Sequence, residues 1–154
     1  MIPNKGERPN TYFVQDKSSD LEMMRLTKQD HMLTAGMGGV WPEQENPERF
    51  RRVLDIGCGT GNWAMEVATR YPEISAIGVD ISQKMVNYAR MHVQERQLTD
   101  RVEFHVMDAL LALEFPRNYF DLVNIRMNYG YIRTWDWPKM FSEMLRVAKY
   151  KGII

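Results

Sequence analysis

The sequence predicts an α/β protein in three layers, in which a parallel sheet lies between two layers of helices. From residue 51 onward, short apolar runs alternate repeatedly with longer amphipathic segments, as in a parallel sheet with crossover helices. The chain of 154 residues, 44% of them hydrophobic and 26% charged, is long enough for one domain with a sizeable core. A glycine-rich stretch follows the first apolar run, where a strand would turn into a helix.

The first fifty residues predict a helical lead-in rather than part of the sheet. In "SSDLEMMRLTKQDHMLTAGMGG", helical spacing places apolar residues on one face, either serine could cap the start, and the helix should end near residues 36–39. That face comprises Leu21, Met24, Leu26, Met32 and Leu33. We therefore divide the chain into residues 1–50, an N-terminal helical cap, and residues 51–154, a ligand-binding domain.

Five strands and three helices are expected between residue 51 and the end of the chain. The strands are "RRVLDI", "SAIGVD", "RVEFHVMD", "NYFDLVNIR" and a fifth that begins at "GII". The helices are "NWAMEVATRY", "SQKMVNYARMHVQERQL" and "WDWPKMFSEMLRVAKY". Ser82 and Asp136 are the expected caps of the last two helices, because their side chains can accept hydrogen bonds from free N–H groups there.

The composition argues against several classes of function. Lysine and arginine together number 20, as do aspartate and glutamate, so the formal charge is zero. A large electrostatic surface for nucleic acid or an anionic membrane is therefore not expected. No apolar run approaches the length of a transmembrane helix, and Cys58 is the only cysteine, which fits a reducing cytoplasm. We expect a cytoplasmic protein without a metal site.

Polar side chains stand at the ends of the predicted strands. Asp55, Asp80, Asp108 and Asn124 each lie at or near the carboxyl end of a strand. Right-handed crossovers bring these ends to one edge of a parallel sheet, which is where ligands bind in open α/β folds. Four polar groups at one edge predict a binding site more strongly than any one of them alone.

The stretch "VLDIGCGTGNW" places glycines at alternating positions, namely Gly57, Gly59 and Gly61. Glycine permits a close approach of the backbone to a ligand. The dinucleotide fingerprint G-x-G-x-x-G would need glycine where Asn62 stands, and no lysine and hydroxyl follow in the register of a Walker A loop. A cradle for phosphate is therefore disfavoured, and an NAD-dependent enzyme is the weaker alternative.

A ligand with an amino acid at one end and adenosine at the other suits these groups. Asp55 could accept hydrogen bonds from its ammonium group, Asp80 from the ribose diol and Asp108 from the adenine amino group. S-adenosylmethionine has all these parts. The apolar residues expected to enclose its adenine ring are Ile81, Met85, Ala109 and Leu110.

The motifs "VLDIGCGTGNW", "IGVDIS", "RVEFHVMDAL" and "FDLVNIR" resemble those of the class I, Rossmann-like S-adenosylmethionine-dependent methyltransferases, over residues 51–154. The N-terminal segment is similar, more loosely, to the helical lead-in of bacterial small-molecule methyltransferases. The resemblance implies that Asp80 binds the ribose, with Ile81 beside the adenine, and that Asn124 faces the methionine portion. It also implies cofactor contacts from the glycine-rich and adenine-edge motifs, at Asp55, Gly57, Cys58, Gly59, Gly61, Asp108 and Ala109.

Two features depart from that family. The turn before the fifth strand usually reads K-P-G-G, whereas this chain has Lys149-Tyr150-Lys151-Gly152. The family sheet normally continues into two further strands, and this sequence stops at Ile154, so we expect a sheet truncated at strand five. Its open edge could pair with a second copy of the chain.

The sequence supports methyl transfer from S-adenosylmethionine to a small-molecule acceptor by in-line displacement. Because much of such catalysis lies in alignment and exclusion of water, the cofactor motifs name no catalytic residue. His31 and Tyr12 are the candidates for contact with the acceptor, and Tyr12 and the turn at residues 37–39 could close over either the cofactor or the acceptor. For Arg126 and Asn128, contact with the acceptor and a structural role stay equally open. The alternative function is a non-catalytic or partner-dependent module that holds the cofactor.

Overall fold

A computed structural model describes residues 20–154 as a five-stranded sheet with helices on both faces. The strands are β1 (Arg52–Ile56), β2 (Ser75–Asp80), β3 (Val102–Val106), β4 (Phe120–Ile125) and β5 (Ala148–Ile153). The helices are α1 (Asp20–Met37), α2 (Asn62–Arg70), α3 (Gln83–Glu95) and α4 (Trp137–Val147), with single 3-10 turns at Pro47–Arg49 and Asn128–Gly130. No helix in this range is long and apolar enough to cross a lipid bilayer.

Every strand pair in the sheet is parallel, and the order is β3-β2-β1-β4-β5. β1 lies at the centre, where Asp55 pairs with Gly78 of β2 on one side and with Asn124 of β4 on the other. The chain therefore winds outward in one direction through β2 and β3, and in the other through β4 and β5. The predicted three-layer α/β fold is confirmed, and the winding reverses between the carboxyl ends of β1 and β4.

Alternation along β1 sends its side chains into two separate cores. Val53 packs with Trp63 on the face that α2 and α3 cover. Leu54 and Ile56 pack on the opposite face, with Met144 of α4. Because both faces are buried, β1 reads as a nearly continuous apolar run, which is typical of a central parallel strand.

The apolar face predicted for α1 is buried only in part, at Leu26 and Leu33. Leu21, Met24 and Met32 are 79%, 64% and 66% exposed, whereas Met23 and Thr34 are buried. α1 packs against α2, and its side toward the cleft at the carboxyl edge of the sheet carries Gln29 and Asp30 beside Leu26 and Leu33, so the hydrophobic period marks the inward face only in part. The serines expected to cap this helix lie outside the described residues.

The two other predicted caps differ in their hydrogen bonds. Ser82 caps α3, because its hydroxyl oxygen accepts from the N–H of Met85 at 3.3 Å. Asp136 occupies the corresponding position of α4, but its side chain makes no capping bond to that helix. Its carboxylate instead accepts from the N–H of Arg133, at 3.4 Å, in the preceding turn.

β5 begins directly after α4 rather than at the predicted "GII". The one residue between Phe120 and Leu122 of β4 lies opposite the four residues between Ala148 and Ile153 of β5. These four residues form a bulge, in which Lys151 has a φ angle of +62°, in place of the family's usual turn. Bulges and lysines at a sheet edge oppose pairing with another strand, and the expected association of two copies through this edge stays a prediction.

Replacing Gly61 by Ala should destabilise the fold more than replacing Gly59 by Ala. Both glycines have positive φ angles, of +78° and +53°, so both substitutions strain the backbone. A Cβ atom on Gly61 would overlap the Phe104 ring and lie 2.9 Å from Ala89, whereas one on Gly59 would meet no described residue within 4 Å. We expect the free energy of unfolding, from urea titration, to fall by about 1–3 kcal/mol more for Gly61→Ala. Equal losses would show that packing against Phe104 and Ala89 does not require glycine at position 61.

Candidate functional site

A cleft of about 1100 Å³ opens at the carboxyl edge of the sheet. The β1–α2 turn and the segments that follow β2 and β3 line its inner half. Its outer half is lined by α1 and by the segment between β4 and α4. This volume lies at the upper end of the range for small-molecule sites, so the cleft has room for a nucleoside-sized ligand and a second small molecule.

Ten of the twelve cofactor-binding residues predicted from the sequence line this cleft. Gly61 is buried against Phe104 and Ala89. Asn124 donates through Nδ2 to Oδ1 of Asp55 at 2.7 Å, so it supports Asp55 and is not part of the cleft lining. The predicted residues that the cleft does bring together are Asp55, Gly57, Cys58, Gly59, Asp80, Ile81, Met85, Asp108, Ala109 and Leu110.

The glycine-rich turn is fixed to β2 by backbone hydrogen bonds. The N–H groups of Gly57 and Cys58 both donate to the carbonyl oxygen of Val79, at 2.8 and 3.0 Å. A Cβ atom on Gly57 would overlap Oδ1 of Asn128. Neighbouring side chains of the protein therefore leave no room for a side chain at Gly57, and the core leaves none at Gly61. Among residues 20–154, only at Gly59 would a side chain meet open space, so contacts within the protein already require glycine at the other two positions. Close approach of a ligand to the three glycines stays a prediction.

Asp80 bridges the glycine-rich turn and the start of α3. Its Oδ2 accepts from the N–H of Gly59 at 2.9 Å, and its Oδ1 accepts from the N–H of Ser82 at 2.8 Å. A carboxylate offers about four lone-pair positions, so these two bonds do not exhaust its capacity to accept. The backbone therefore orients this carboxylate in the cleft before any ligand binds.

Asp108 and the apolar residues around it form the far end of the inner half. Oδ1 of Asp108 accepts from the N–H of Leu110 at 2.9 Å, which fixes the turn after β3. Met85 and Ala109 are buried beside the cleft, and Ile81 is exposed at its edge. An apolar slot with a carboxylate beside it suits a flat base that carries an amino group.

Asp55 is a buried carboxyl group at the base of the cleft. Burial raises its pKa from the ordinary value of 3.8 to about 7, although the charge of Arg126 and the hydrogen bond from Asn124 both act to lower it. The negative charges of Asp30 and Asp80 raise the pKa further. A buried carboxyl group without a hydrogen-bonded cation is suited to binding a positively charged group of a ligand.

The outer half of the cleft contains polar contacts that the sequence analysis either left undecided or did not predict. Arg126 donates to a carboxylate oxygen of Asp30 and, at 3.3 Å, to Oγ1 of Thr34, so it links the segment after β4 to α1. Asn128 is buried and donates to the carbonyl oxygen of Ile56 at 3.2 Å. Arg126 and Asn128 therefore make structural contacts while they also line the cleft. Asp30 and Thr34 gave no signal in the sequence, because 96 and 92 residues separate them from their partner.

The residues expected to contact an acceptor are placed elsewhere. His31 is exposed on α1 outside the cleft lining, and the turn at residues 37–39 does not line the cleft either. Tyr12 lies outside the described residues. Cys58 does line the cleft, but burial raises the pKa of its thiol, so it is not a reactive thiolate. Within residues 20–154, no group of His, Cys, Asp and Glu side chains could hold a metal ion.

Comparison with known proteins places the sequence among methyltransferases. Residues 53–152 match the model of a family described as "Methyltransferase domain". The ubiquinone/menaquinone biosynthesis C-methyltransferase of Geobacter sulfurreducens is 36% identical over 98% of this chain and 57% of its own length. The demethylmenaquinone methyltransferase of Bacteroides fragilis is 30% identical over 80% of this chain and 51% of its own length. The chain thus spans about half the length of these curated relatives.

A solved structure supports the same fold over nearly the whole chain. The PH0226 protein of Pyrococcus horikoshii superposes with a TM-score of 0.69 and 26% sequence identity. The superposition covers 95% of this chain and 64% of that protein. The parallel sheet and the helices around it are therefore shared with a known α/β structure.

Replacing Asp55 by Asn should flatten the pH dependence of stability of the ligand-free protein. The folded chain holds the Asp55 proton to about pH 7, whereas the unfolded chain releases it near pH 3.8, so the wild type loses stability as the pH rises between these values. The advantage of Asp55→Asn over the wild type should grow by about 1–3 kcal/mol between about pH 5 and about pH 8. Urea titrations at the two pH values measure this change. A constant difference would show that Asp55 is already ionised in the folded protein at the lower pH.

Proposed function

The chain belongs to the methyltransferase domain family, whose cofactor is S-adenosylmethionine, and we propose that it transfers a methyl group from this cofactor to a small apolar molecule in the same cleft. One observation carries the proposal. Asp55, Asp80 and Asp108, which the sequence predicts as partners of the three polar parts of the cofactor, come from the ends of three neighbouring strands and line one cleft.

The residues of the inner half fit this cofactor. Asp55 would hold the ammonium group, since no cation of residues 20–154 is hydrogen-bonded to its buried carboxyl group. Asp80, oriented by two backbone N–H groups, would accept from the ribose hydroxyls. Asp108 would accept from the adenine amino group, and Met85 and Ala109 would enclose the ring. No phosphate group needs to be accommodated by this arrangement.

The outer half of the cleft suits an apolar acceptor. Leu26 and Leu33 of α1 line it together with Met127 and Trp135. Met127 is 47% exposed and Trp135 is 70% exposed, and exposed apolar surface of this kind marks sites where a ligand binds. Two of the relatives are named as methyltransferases of quinone biosynthesis. We infer that the acceptor is a flat, apolar ring system of that chemical class.

When bound, S-adenosylmethionine supplies a methyl group on a positively charged sulfur. The sulfur is a good leaving group, because it departs as a neutral thioether. The chain then has to align the acceptor and keep water out. α1 forms one wall of the cleft for this purpose, and Arg126 joins it to the segment after β4. Burial raises the pKa of Tyr131, so its hydroxyl remains protonated and can donate a hydrogen bond to the acceptor, but it does not act as a base.

The division of the chain and its compartment are part of the same proposal. Residues 1–50 would act as a cap on residues 51–154, because α1 contributes side chains to the cleft. Trp41, which follows α1, is buried against Trp63 of α2, so the cap and the sheet domain share one core. The single cysteine, Cys58, fits the cytoplasm as the compartment.

Replacing Asp80 by Ala should weaken the binding of S-adenosylhomocysteine, the demethylated cofactor, by about 1–3 kcal/mol in isothermal titration calorimetry. The ribose would lose its acceptor, and the glycine-rich turn would lose its bond from Gly59. Asp121→Ala is the matched control, because Asp121 also accepts from two backbone N–H groups, those of Arg51 and Arg52, but lies outside the cleft. An unchanged affinity in Asp80→Ala, or equal losses in both variants, would contradict the assignment.

Incubation with S-adenosylmethionine and a reduced naphthoquinone that has an unsubstituted ring position should give a methylated ring. Mass spectrometry should find a product that is heavier by one CH₂ unit, together with an equal amount of S-adenosylhomocysteine. NAD, tested by calorimetry as a control ligand, should not bind. A chain that binds S-adenosylhomocysteine but methylates no hydroxylated ring would instead support the module that only holds the cofactor.

A further inference from the structure

We propose that Asp30 of α1, together with Asp55, binds the ammonium group of the cofactor and so fastens α1 over the occupied cleft. This inference rests on the proposed function and adds to it a residue that no sequence motif singles out. Asp30 and Asp55 reach the same cleft from different elements, the first from a helix and the second from the central strand of the sheet.

Asp30 has one carboxylate oxygen engaged and one unsatisfied. Its Oδ1 accepts from Nη2 of Arg126. Its Oδ2 is buried and has no hydrogen-bond partner in the part of the chain that the structure describes. A buried acceptor without a donor costs free energy, and such groups are rare in folded proteins. Because Asp30 lines the cleft, a donor group of a bound ligand can satisfy this oxygen.

Asp55 also has only one of its two carboxylate oxygens in a hydrogen bond within residues 20–154. The amide of Asn124 donates to its Oδ1 at 2.7 Å, and among residues 20–154 no second donor reaches this carboxylate. The side chain is only 5% exposed, so water has little access to it, yet it lines the cleft. Each of the two carboxyl groups therefore has one oxygen available to a ligand.

The charges around the two carboxyl groups do not balance. Burial raises the pKa of both Asp30 and Asp55, Arg126 lowers both, and the charge of Asp30 further raises the pKa of Asp55. Arg126 is 14% exposed and is bonded to Asp30, so one guanidinium serves two carboxyl groups. A primary ammonium group would supply the missing positive charge and has three N–H donors, enough for an oxygen of each carboxylate.

A purely structural role for Asp30 makes a different prediction. In that case Asp30 only connects α1 to Arg126, as Thr34 also does through its hydroxyl. Removal of either contact would then loosen α1 and weaken every cleft ligand alike. Recognition of an ammonium group would instead affect only ligands that carry one.

The test compares two ligands that differ at the amino acid end. S-adenosylhomocysteine carries the ammonium group, whereas 5′-methylthioadenosine has the same adenosine and sulfur without it. In calorimetric titrations, Asp30→Asn should lower the affinity for S-adenosylhomocysteine about tenfold and leave that for 5′-methylthioadenosine within about twofold of the wild type. Thr34→Val, which removes a contact of α1 with Arg126 but no carboxylate, should leave both affinities close to those of the wild type.

Several results would overturn the inference. These are equal losses for both ligands in Asp30→Asn, an unchanged affinity for S-adenosylhomocysteine, or the same selective loss in Thr34→Val. Asp30→Ser is measured alongside, and the ratio of the two affinities within each variant removes any general effect on folding. These results leave the proposed function standing as long as the wild type binds S-adenosylhomocysteine, whereas a wild type that binds neither ligand would remove both proposals.

Discussion

The carbonyl oxygen of Val79 is the acceptor on which the geometry of the site depends. It accepts from the N–H groups of both Gly57 and Cys58, and it thereby fixes the glycine-rich turn against the end of β2. Asp80, the next residue of β2, can then accept from the N–H of Gly59. Because backbone N–H groups hold both the turn and this carboxylate, the distance between the ends of β1 and β2 is fixed before any ligand binds.

The site retains buried carboxyl groups at a cost to the stability of the ligand-free protein. Burial raises the pKa of Asp55 to about 7, and it also raises that of Asp30. Arg126 offsets part of this cost, but it is shared between the two carboxyl groups. A protein selected for stability alone would replace such groups by apolar ones, so their presence in a cleft is best explained by a cationic ligand.

The sequence was sufficient to predict the sheet and most of the inner half of the cleft, because parallel strands bring their carboxyl ends to one edge whatever lies between them. It could not predict side-chain direction at that edge. Asn124 pairs with Asp55 across two strands and donates to it, so it does not line the cleft. Gly57 was recognised as special, but the contact that requires glycine there comes from Asn128, far along the chain. Asp30 carried no signal, because its partner Arg126 lies 96 residues further along the chain and an apolar period does not single out a polar residue on the inward face.

The central claim is that three carboxyl groups from three adjacent strands bind the amine, the sugar and the base of one cofactor molecule. A crystal structure of the chain with S-adenosylhomocysteine tests this claim most directly. The account predicts the ligand in the cleft, with its ammonium group at Asp55, its ribose at Asp80 and its adenine amino group at Asp108. Electron density for the ligand in another place, or in the cleft with these carboxylates out of hydrogen-bonding distance, would contradict it.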